Sequence, residues 1–269
     1  MDDGRPGRPG WDPEQYLRFA DDRGRPFADL VARIGVPRPR SVVDLGCGPG
    51  NLTGTLAARW PDAVITGVDS SEQMIAAATE ARPPGAADRL RYELADLRDW
   101  TPAGPVDVVL SNATLQWVPE HVELFERFAG WLAAGGAFAF QVPANFDAPS
   151  HTEIAALRRS ARWRDRLGDE ALSREGSSAE PATYLDALAR LGLRVDAWET
   201  TYLHVLTGDD PVLEWVKGTA LRPVLARLDE REQRDFCAEL GPRLRAAYPA
   251  APYGTVFPFR RVFVVAHRA

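Results

Sequence analysis

The stretch Val42–Thr53 reads Val-Val-Asp-Leu-Gly-Cys-Gly-Pro-Gly-Asn-Leu-Thr. Its first four residues are those of a buried strand, and Gly46, Gly48 and Gly50 follow before a helical pattern begins. Glycine has no β-carbon, so it tolerates a tight turn and lets a ligand approach the bare backbone. The stretch therefore predicts a strand, a ligand-binding turn and a helix.

The glycine spacing and the residue before the turn indicate the kind of ligand. The spacing is G-x-G-x-G, whereas dinucleotide folds usually show G-x-G-x-x-G, with a helix N-terminus facing a pyrophosphate. Asp44 stands immediately before the turn, and a carboxylate there would repel a phosphate and attract a cation. S-adenosylmethionine carries a sulfonium and an amino group and has no phosphate, so we expect it as the cofactor.

Composition narrows the class of protein. With 269 residues and 45% hydrophobic content, the chain can bury a complete α/β core. The net charge is −6, from 38 acidic and 32 basic residues, which argues against nucleic acid as a partner. Cys47 and Cys237 have neither metal nor disulfide spacing, and no apolar run approaches the ~20 residues that span a bilayer. We expect a cytoplasmic protein without a metal, a membrane segment or an obligate protein partner.

Short β-branched runs alternate with amphipathic helical patterns, which is typical of a parallel sheet covered on both faces. The predicted strands are Ser41–Leu45, Val64–Val68, Leu90–Leu94, Val106–Ser111, Gly136–Val142 and, as an antiparallel pair, Arg194–Val205 and Val256–Ala266. The predicted helices are Leu52–Arg59, Ser71–Glu80, with Ser70 or Ser71 as its N-cap, and Glu120–Ala133. These elements predict a Rossmann-like, seven-stranded, doubly wound α/β fold.

The chain is predicted to hold one folded domain. Residues 1–10 are polar and helix-breaking, so we expect a disordered tail, followed by a single domain over residues 11–269. Helix-rich segments at about 145–190 and 208–252 follow strand ends, where a doubly wound fold places its ligand crevice. Both are predicted to form a cap over the cofactor.

Two acidic residues at strand ends are candidates for binding a nucleoside. Asp69 follows the second strand and is placed to accept hydrogen bonds from ribose hydroxyls; a helix N-cap is the alternative. Asp96 follows the third strand and could accept from the adenine amino group while Leu97 covers the ring, or it could be a surface turn. Met74 could pack on adenine or belong to the core.

Together these motifs resemble the class I S-adenosylmethionine-dependent methyltransferases. The resemblance is carried by Asp44–Gly50, Asp69, Asp96 and the segment Asp107–Asn112. It implies that Asp44 and the glycine backbone hold the methionine end of the cofactor. The implied cofactor-binding set is Asp44, Gly46, Gly48, Gly50, Asp69, Ser70, Met74, Asp96, Leu97 and Asn112.

A narrower resemblance, to the trans-aconitate methyltransferase family, covers most of the chain from Trp11 to Arg268. It is carried by Trp11–Phe19, Ser111–Trp117, Gln141–Pro143, Trp198–His204 and Ala220–Pro223. It implies O-methylation of a small carboxylate substrate, trans-aconitate, to its monomethyl ester.

The chemistry of a polycarboxylate agrees with the residues available. A carboxyl group titrates near ~4, so each oxygen is already a nucleophile at neutral pH and we expect no catalytic base. Arginine can bind a carboxylate through two parallel hydrogen bonds. Arg260 and Arg261 alternate along a strand, so at most one enters the site, or both lie on the surface; the resemblance favours Arg261. The predicted substrate-binding set is Tyr16, Gln116, Trp117, His151, Tyr202, Trp215, Arg222 and Arg261. A structural role is the alternative for Tyr16, Gln116, Trp117 and His151.

Three other functions stay open at this point. The chain could methylate another polycarboxylate or a natural-product intermediate. It could be a nicotinamide-dependent oxidoreductase, although its glycine spacing argues against this. It could also bind the cofactor without catalysis, and the arginines and aromatic residues predicted in the cap argue weakly against that.

Overall fold

A computed structural model of the chain describes residues 20–168 and 178–269. Its α-helices are α1 (Ala20–Arg33), α2 (Asn51–Arg59), α3 (Glu72–Glu80), α4 (Phe125–Gly130), α5 (Pro149–Arg158), α6 (Arg164–Leu167), α7 (Pro181–Ala189), α8 (Pro211–Lys217), α9 (Arg222–Leu225) and α10 (Glu230–Ala247). Its strands are β1 (Ser41–Leu45), β2 (Val64–Asp69), β3 (Leu90–Leu94), β4 (Val106–Asn112), β5 (Leu132–Pro143), β6 (Arg194–Leu206), β7 (Ala250–Ala251) and β8 (Gly254–His267).

Within the described residues the strands form one sheet in the order β3-β2-β1-β4-β5-β8-β6, and the two-residue β7 pairs with β8. Strands β1 to β5 are parallel, whereas β8 runs antiparallel to both β5 and β6. The strand order reverses between β1 and β4, the switch point where open α/β sheets bind ligands. The predicted Rossmann-like α/β fold and its antiparallel strand pair are confirmed, and β7 is an additional short strand.

The sheet is covered on both faces because alternate residues of its central strands are apolar. Val43 packs with α4 and α7 on one face, and Val42 packs with α1 and α2 on the other. Both residues are buried, as expected for a strand in the middle of a parallel sheet. The predicted N-cap of α3 is Ser71, whose hydroxyl accepts a hydrogen bond from Met74 N at 3.4 Å.

A third buried apolar group contains residues of the helices α5, α6, α8, α9 and α10 and of the ends of strands β6 and β8. Trp215 and Phe236 lie at its centre, with Phe257 and Phe259 contributed by β8. Helix α7 lies inside the predicted cap segment 145–190 but packs on the sheet, in the same buried group as Val43. The division of the chain into a domain with a cap stays a prediction.

The predicted helix Glu120–Ala133 is wrong at both ends. Glu120 has a left-handed φ of 56°, a 3-10 turn follows at His121–Leu124, and α4 covers only Phe125–Gly130. Strand β5 already begins at Leu132, four residues before the predicted Gly136, because Leu132 pairs with Val106, and Gly135 inside the strand takes a φ of 74°. The pairing of β4 with β5 is irregular at that point, which the hydrophobic pattern did not reveal.

Three predictions fall on residues outside the described ranges: the tail at residues 1–10, Tyr16, and the whole of the family-like segment Trp11–Phe19. Among the helices that the structure describes, none combines the length and apolar character needed to cross a membrane.

Candidate active site

The glycine turn after β1 approaches two neighbouring segments very closely. Gly46, Gly48 and Gly50 all have positive φ, at 76°, 56° and 74°. A β-carbon at Gly46 would collide with the side chain of Thr114, which itself donates to Gly46 O at 3.1 Å. A β-carbon at Gly48 would meet nothing within 4 Å, so this backbone faces open space. The turn therefore presents bare backbone where a ligand can lie.

Asp69, at the end of β2, fixes the turn in place. Its Oδ2 accepts from Gly48 N at 2.9 Å, and its Oδ1 accepts from Ser71 N at 2.9 Å. The carboxylate thus supports the glycine turn and the first turn of α3 together. A bound ribose would share these oxygens, and this role of Asp69 stays a prediction.

A cavity of about 220 Å³ opens beside the turn, at the carboxyl ends of β1, β2 and β4. Ten predicted site residues line it: Gly46, Gly48, Asp69, Ser70, Met74, Asp96, Leu97, Asn112, Trp117 and Arg222. The other lining residues were not predicted from sequence: Pro49, Val68, Ala95, Ala113, Thr114, Val118, Thr219 and Pro223. Most of these adjoin a predicted residue in sequence, and that adjacency was the available signal.

The end of the cavity near β3 is lined by apolar residues and by one carboxylate. Met74 and Leu97 are buried and line the cavity with Ala95. Asp96 is held by Arg98, whose Nε and Nη2 donate to its two oxygens at 2.9 and 2.5 Å. An apolar slot with an acceptor at its edge suits a purine ring, but the adenine contact of Asp96 stays a prediction.

Asp44 does not line this cavity and lies beneath the glycine turn. Its Oδ2 accepts from Thr53 Oγ1 at 2.6 Å, while its Oδ1 is buried with no hydrogen-bond partner among the described residues. Burial raises the pKa of Asp44 to about 6, against the opposing effect of Thr53, and the charge of Asp69 raises it further. An unpaired buried carboxylate oxygen fits a ligand that brings a positive charge to the turn. Gly50, the N-cap of α2, also lies outside the lining.

A strained loop follows β4 on the opposite side of the cavity. Ala113, which lines the cavity, has a left-handed φ of 53°. Gln116 is buried, and its Nε2 donates to Ala113 O at 2.6 Å, which supports this conformation. Its Oε1 has no partner among the described residues. Strain of this kind in a non-glycine residue is common at functional sites.

A chain of hydrogen bonds leads from the cavity to a buried cation. Asn112 Oδ1 accepts from Gln141 Nε2 at 2.7 Å, and Gln141 Oε1 accepts from Arg261 Nη1 at 3.1 Å. Arg261 is only 4% exposed, and its guanidinium lies 4.6 Å from the ring centre of Phe259. Gln141 was missed from sequence, although its register position opposite Asn112 follows from the strand pairing.

Arg260 and Arg261 point to opposite faces of β8, as alternation predicts. Arg260 lies on one face of β8, where its guanidinium pairs with Glu199 at 3.0 Å and with Glu180 at 3.1 Å. Arg261 is buried on the other face of β8, where it donates to Gln141. Arg261 does not itself line the cavity but is linked to it through Gln141 and Asn112, and its substrate contact stays a prediction.

Three further predicted substrate residues, Tyr202, Trp215 and His151, lie outside the lining of this cavity. Tyr202 packs near α1 and donates to Asp29 Oδ2 at 2.6 Å. Trp215 is buried in the apolar group formed by α5, α6 and α8–α10, with its ring centre 5.6 Å from that of Phe257. His151 contacts the ring of Phe146 and Ser150 Oγ, and burial lowers its pKa to about 4, so it is neutral at physiological pH. Their substrate roles stay predictions.

Among residues 20–168 and 178–269, no three His, Cys, Asp or Glu side chains are grouped as metal ligands would be. The expectation that the protein needs no metal stays a prediction.

Comparisons with known proteins agree with this geometry. A family model described as "Methyltransferase domain" matches residues 42–136, from β1 into β5. A trans-aconitate 2-methyltransferase of Streptomyces avermitilis is 56% identical over 263 residues, covering 97% of each chain. Another from Mycolicibacterium gilvum is 54% identical over 257 residues, covering 95% of this chain and 98% of the relative.

Solved structures share the fold at low identity. The geranyl diphosphate C-methyltransferase of Streptomyces coelicolor, solved with S-adenosyl-L-homocysteine, is 17% identical. It has a TM-score of 0.55, covering 99% of this chain and 86% of its own. The fold supports what the relatives show over nearly the full length. The chain belongs to the trans-aconitate 2-methyltransferase family, within the class I methyltransferases.

Proposed function

We propose that this protein transfers the methyl group of S-adenosylmethionine to a carboxylate of trans-aconitate, giving the monomethyl ester and S-adenosylhomocysteine. The observation that carries the proposal is the hydrogen-bonded chain from Asn112, in the cavity wall, through Gln141 to the buried guanidinium of Arg261. It links a cation suited to a carboxylate with the cavity beside the glycine turn.

The residues fit this cofactor on two observations. The unpaired Oδ1 of Asp44 lies below the turn and suits a ligand with an ammonium group, and the backbone at Gly48 is open for close approach. The cofactor supplies an electrophilic methyl group: the carboxylate oxygen forms the new O–CH₃ bond while the S–CH₃ bond breaks and its electron pair stays on sulfur. No proton is released in this exchange, so the protein needs no general base.

The tasks left to the protein are orientation and the exclusion of water. A carboxylate is ionised at neutral pH, and its reactive oxygen must be held in line with the methyl group. Arg261 provides a planar fork of donors for one carboxylate, which leaves another carboxylate to be aligned. Apolar residues of the cavity wall, such as Trp117 and Val118, keep water from the reacting atoms.

A nicotinamide-dependent oxidoreductase is not favoured. The close relatives are named as methyltransferases, and the carboxylate of Asp44 beneath the turn would repel a pyrophosphate. The use of S-adenosylmethionine by this chain, its cytoplasmic location and its independence of protein partners remain part of the proposal.

The test is a substrate panel with the purified full chain. With S-adenosylmethionine labelled in its methyl group, trans-aconitate should yield a labelled methyl ester that mild alkali releases as methanol. Other di- and tricarboxylic acids, amines and phenols are assayed in parallel. Turnover of another polycarboxylate in place of trans-aconitate would correct the substrate, and turnover confined to amines or phenols would refute the proposal.

A further inference from the structure

Asn145 follows the carboxyl end of β5, and its side chain is both buried and unpaired. The residue is 5% exposed, and neither its Nδ2 nor its Oδ1 has a hydrogen-bond partner among the described residues. Buried side-chain amides are nearly always hydrogen-bonded, because an unpaired buried amide loses its hydrogen bonds to water and gains none in the protein. An amide with both ends unpaired therefore calls for a ligand or a trapped water.

Asn145 lies two residues beyond the end of β5, and continuing the alternation of that strand leads to the face that carries Arg261. Pro143 lies opposite Arg261 in the pairing of β5 with β8, and Ala144 N donates to Arg260 O at 2.9 Å. The pairing thus continues to the residue before Asn145. Because alternate residues of a strand share a face, Gln141 and Pro143 lie on the side of Arg261, and the next residue on that side is Asn145.

The backbone holds Asn145 in this position. Its carbonyl accepts from Ala148 N at 3.0 Å, which forms the turn that leads into α5. The residue therefore lies between the end of β5 and the start of α5, at the carboxyl edge of the sheet where Asn112 and the strained Ala113 also lie.

The chemistry of an amide complements that of the neighbouring guanidinium. Arg261 brings a positive charge and several donors, whereas Asn145 brings two N–H donors and one acceptor without a charge. We propose that Asn145 is a substrate-binding residue whose side-chain N–H donates to a carboxylate of the polycarboxylate that Arg261 binds. The inference rests on the proposed function and adds a second contact to it.

The test replaces Asn145 with an apolar side chain of similar shape. For Asn145→Leu we expect the KM for trans-aconitate to rise about tenfold or more, with the affinity for S-adenosylhomocysteine unchanged. The melting temperature should stay level or rise, because the substitution removes an unpaired buried amide. A matched control is Ser160→Ala, which removes another unpaired buried group, the Ser160 hydroxyl between α5 and α6, and should leave the KM unchanged.

A second variant separates substrate binding from a structural role. Asn145→Asp places a carboxylate beside the substrate carboxylate, in place of the N–H donor, so its KM should exceed that of Asn145→Leu and fall as the pH is lowered. If Asn145→Leu does not fold, Asn145→Ser is judged by the same KM criterion.

The outcomes are distinguishable. A wild-type protein that fails to methylate trans-aconitate would overturn the proposed function itself. Wild-type turnover combined with an unchanged KM in the Leu or Ser variant would overturn only the role of Asn145, and would assign its amide to a trapped water.

Discussion

Replacing Arg261 with methionine should weaken substrate recognition while leaving the cofactor cavity intact. Methionine keeps an unbranched side chain of similar length, so it can still pack on Phe259, 4.6 Å from the guanidinium in the native protein. The substitution removes the positive charge and the donor to Gln141 Oε1. Arg261 does not line the described cavity, so the glycine turn and its neighbours should not change.

The magnitude follows from the burial of the guanidinium. At 4% exposure, its interaction with a bound carboxylate is little screened by solvent. Truncating one partner of a buried, hydrogen-bonded charge pair costs about 2–5 kcal/mol. A loss of about 3 kcal/mol corresponds to a fall of about a hundredfold in kcat/KM. The unpaired Gln141 oxygen should in addition lower the free energy of unfolding by about 1 kcal/mol.

The assay measures kcat/KM for trans-aconitate at saturating cofactor, with the dissociation constant of S-adenosylhomocysteine from calorimetry. Arg260→Met is the matched control, since it removes the neighbouring arginine from the exposed pairs with Glu180 and Glu199. We expect the control to retain native kinetics, because exposed ion pairs contribute little. Native kcat/KM in Arg261→Met, or an equal loss in Arg260→Met, would refute the reasoning.

Three further predictions concern the turn and the hydrogen-bonded chain. The folded-state pKa of Asp44 is raised from 3.8 to about 6, so its contribution to stability should be greatest below about pH 4 and lost as the pH rises through 6. Denaturation at several pH values should show this decline in the wild type and its absence in Asp44→Asn. Gly46→Ala should lower the melting temperature well beyond Gly85→Ala, since both glycines have a φ of 76° but only the former has a neighbour in the way; equal shifts would contradict this. Gln141→Glu should raise the KM for trans-aconitate more than Gln141→Met, because a carboxylate neutralises the adjacent guanidinium; the reverse order would show that charge is unimportant there.

The strand-turn-helix unit could be predicted because its determinants are local. The residues Val42–Gly50 specify a buried strand and a turn that only glycine fits without strain, and each requirement is visible in the sequence. The N-cap at Ser71 is equally local. The end of α4 was not predictable, because the bulge at Gly135 depends on how β4 and β5 pair, which no short pattern encodes.

Some residues of the candidate site could likewise be predicted from the sequence, and others could not. Asp69, Asp96 and Asn112 stand at strand ends, so their common edge follows from the topology alone. Trp215 and Tyr202 resemble ligand-binding aromatics in sequence, yet Trp215 is buried in the apolar group of α5, α6 and α8–α10, and Tyr202 hydrogen-bonds to Asp29 on α1. Which aromatic residue faces a ligand depends on helix packing over long sequence separations. Gln141 and Asn145 were missed for a related reason, since an unpaired or bridging amide is recognisable only from its three-dimensional surroundings.

The position of β8 has a consequence for how the molecule is assembled. Among the strands of residues 20–168 and 178–269, β6 pairs only with β8, which in turn pairs with β5, so the sheet cannot be completed before β8 has been synthesised. The parallel half, with its glycine turn, can associate earlier because its strands follow one another along the chain. We expect a nascent chain on the ribosome to fold the parallel half with its glycine turn first. It should become able to bind a carboxylate substrate only when β8, which bears Arg261, inserts between β5 and β6.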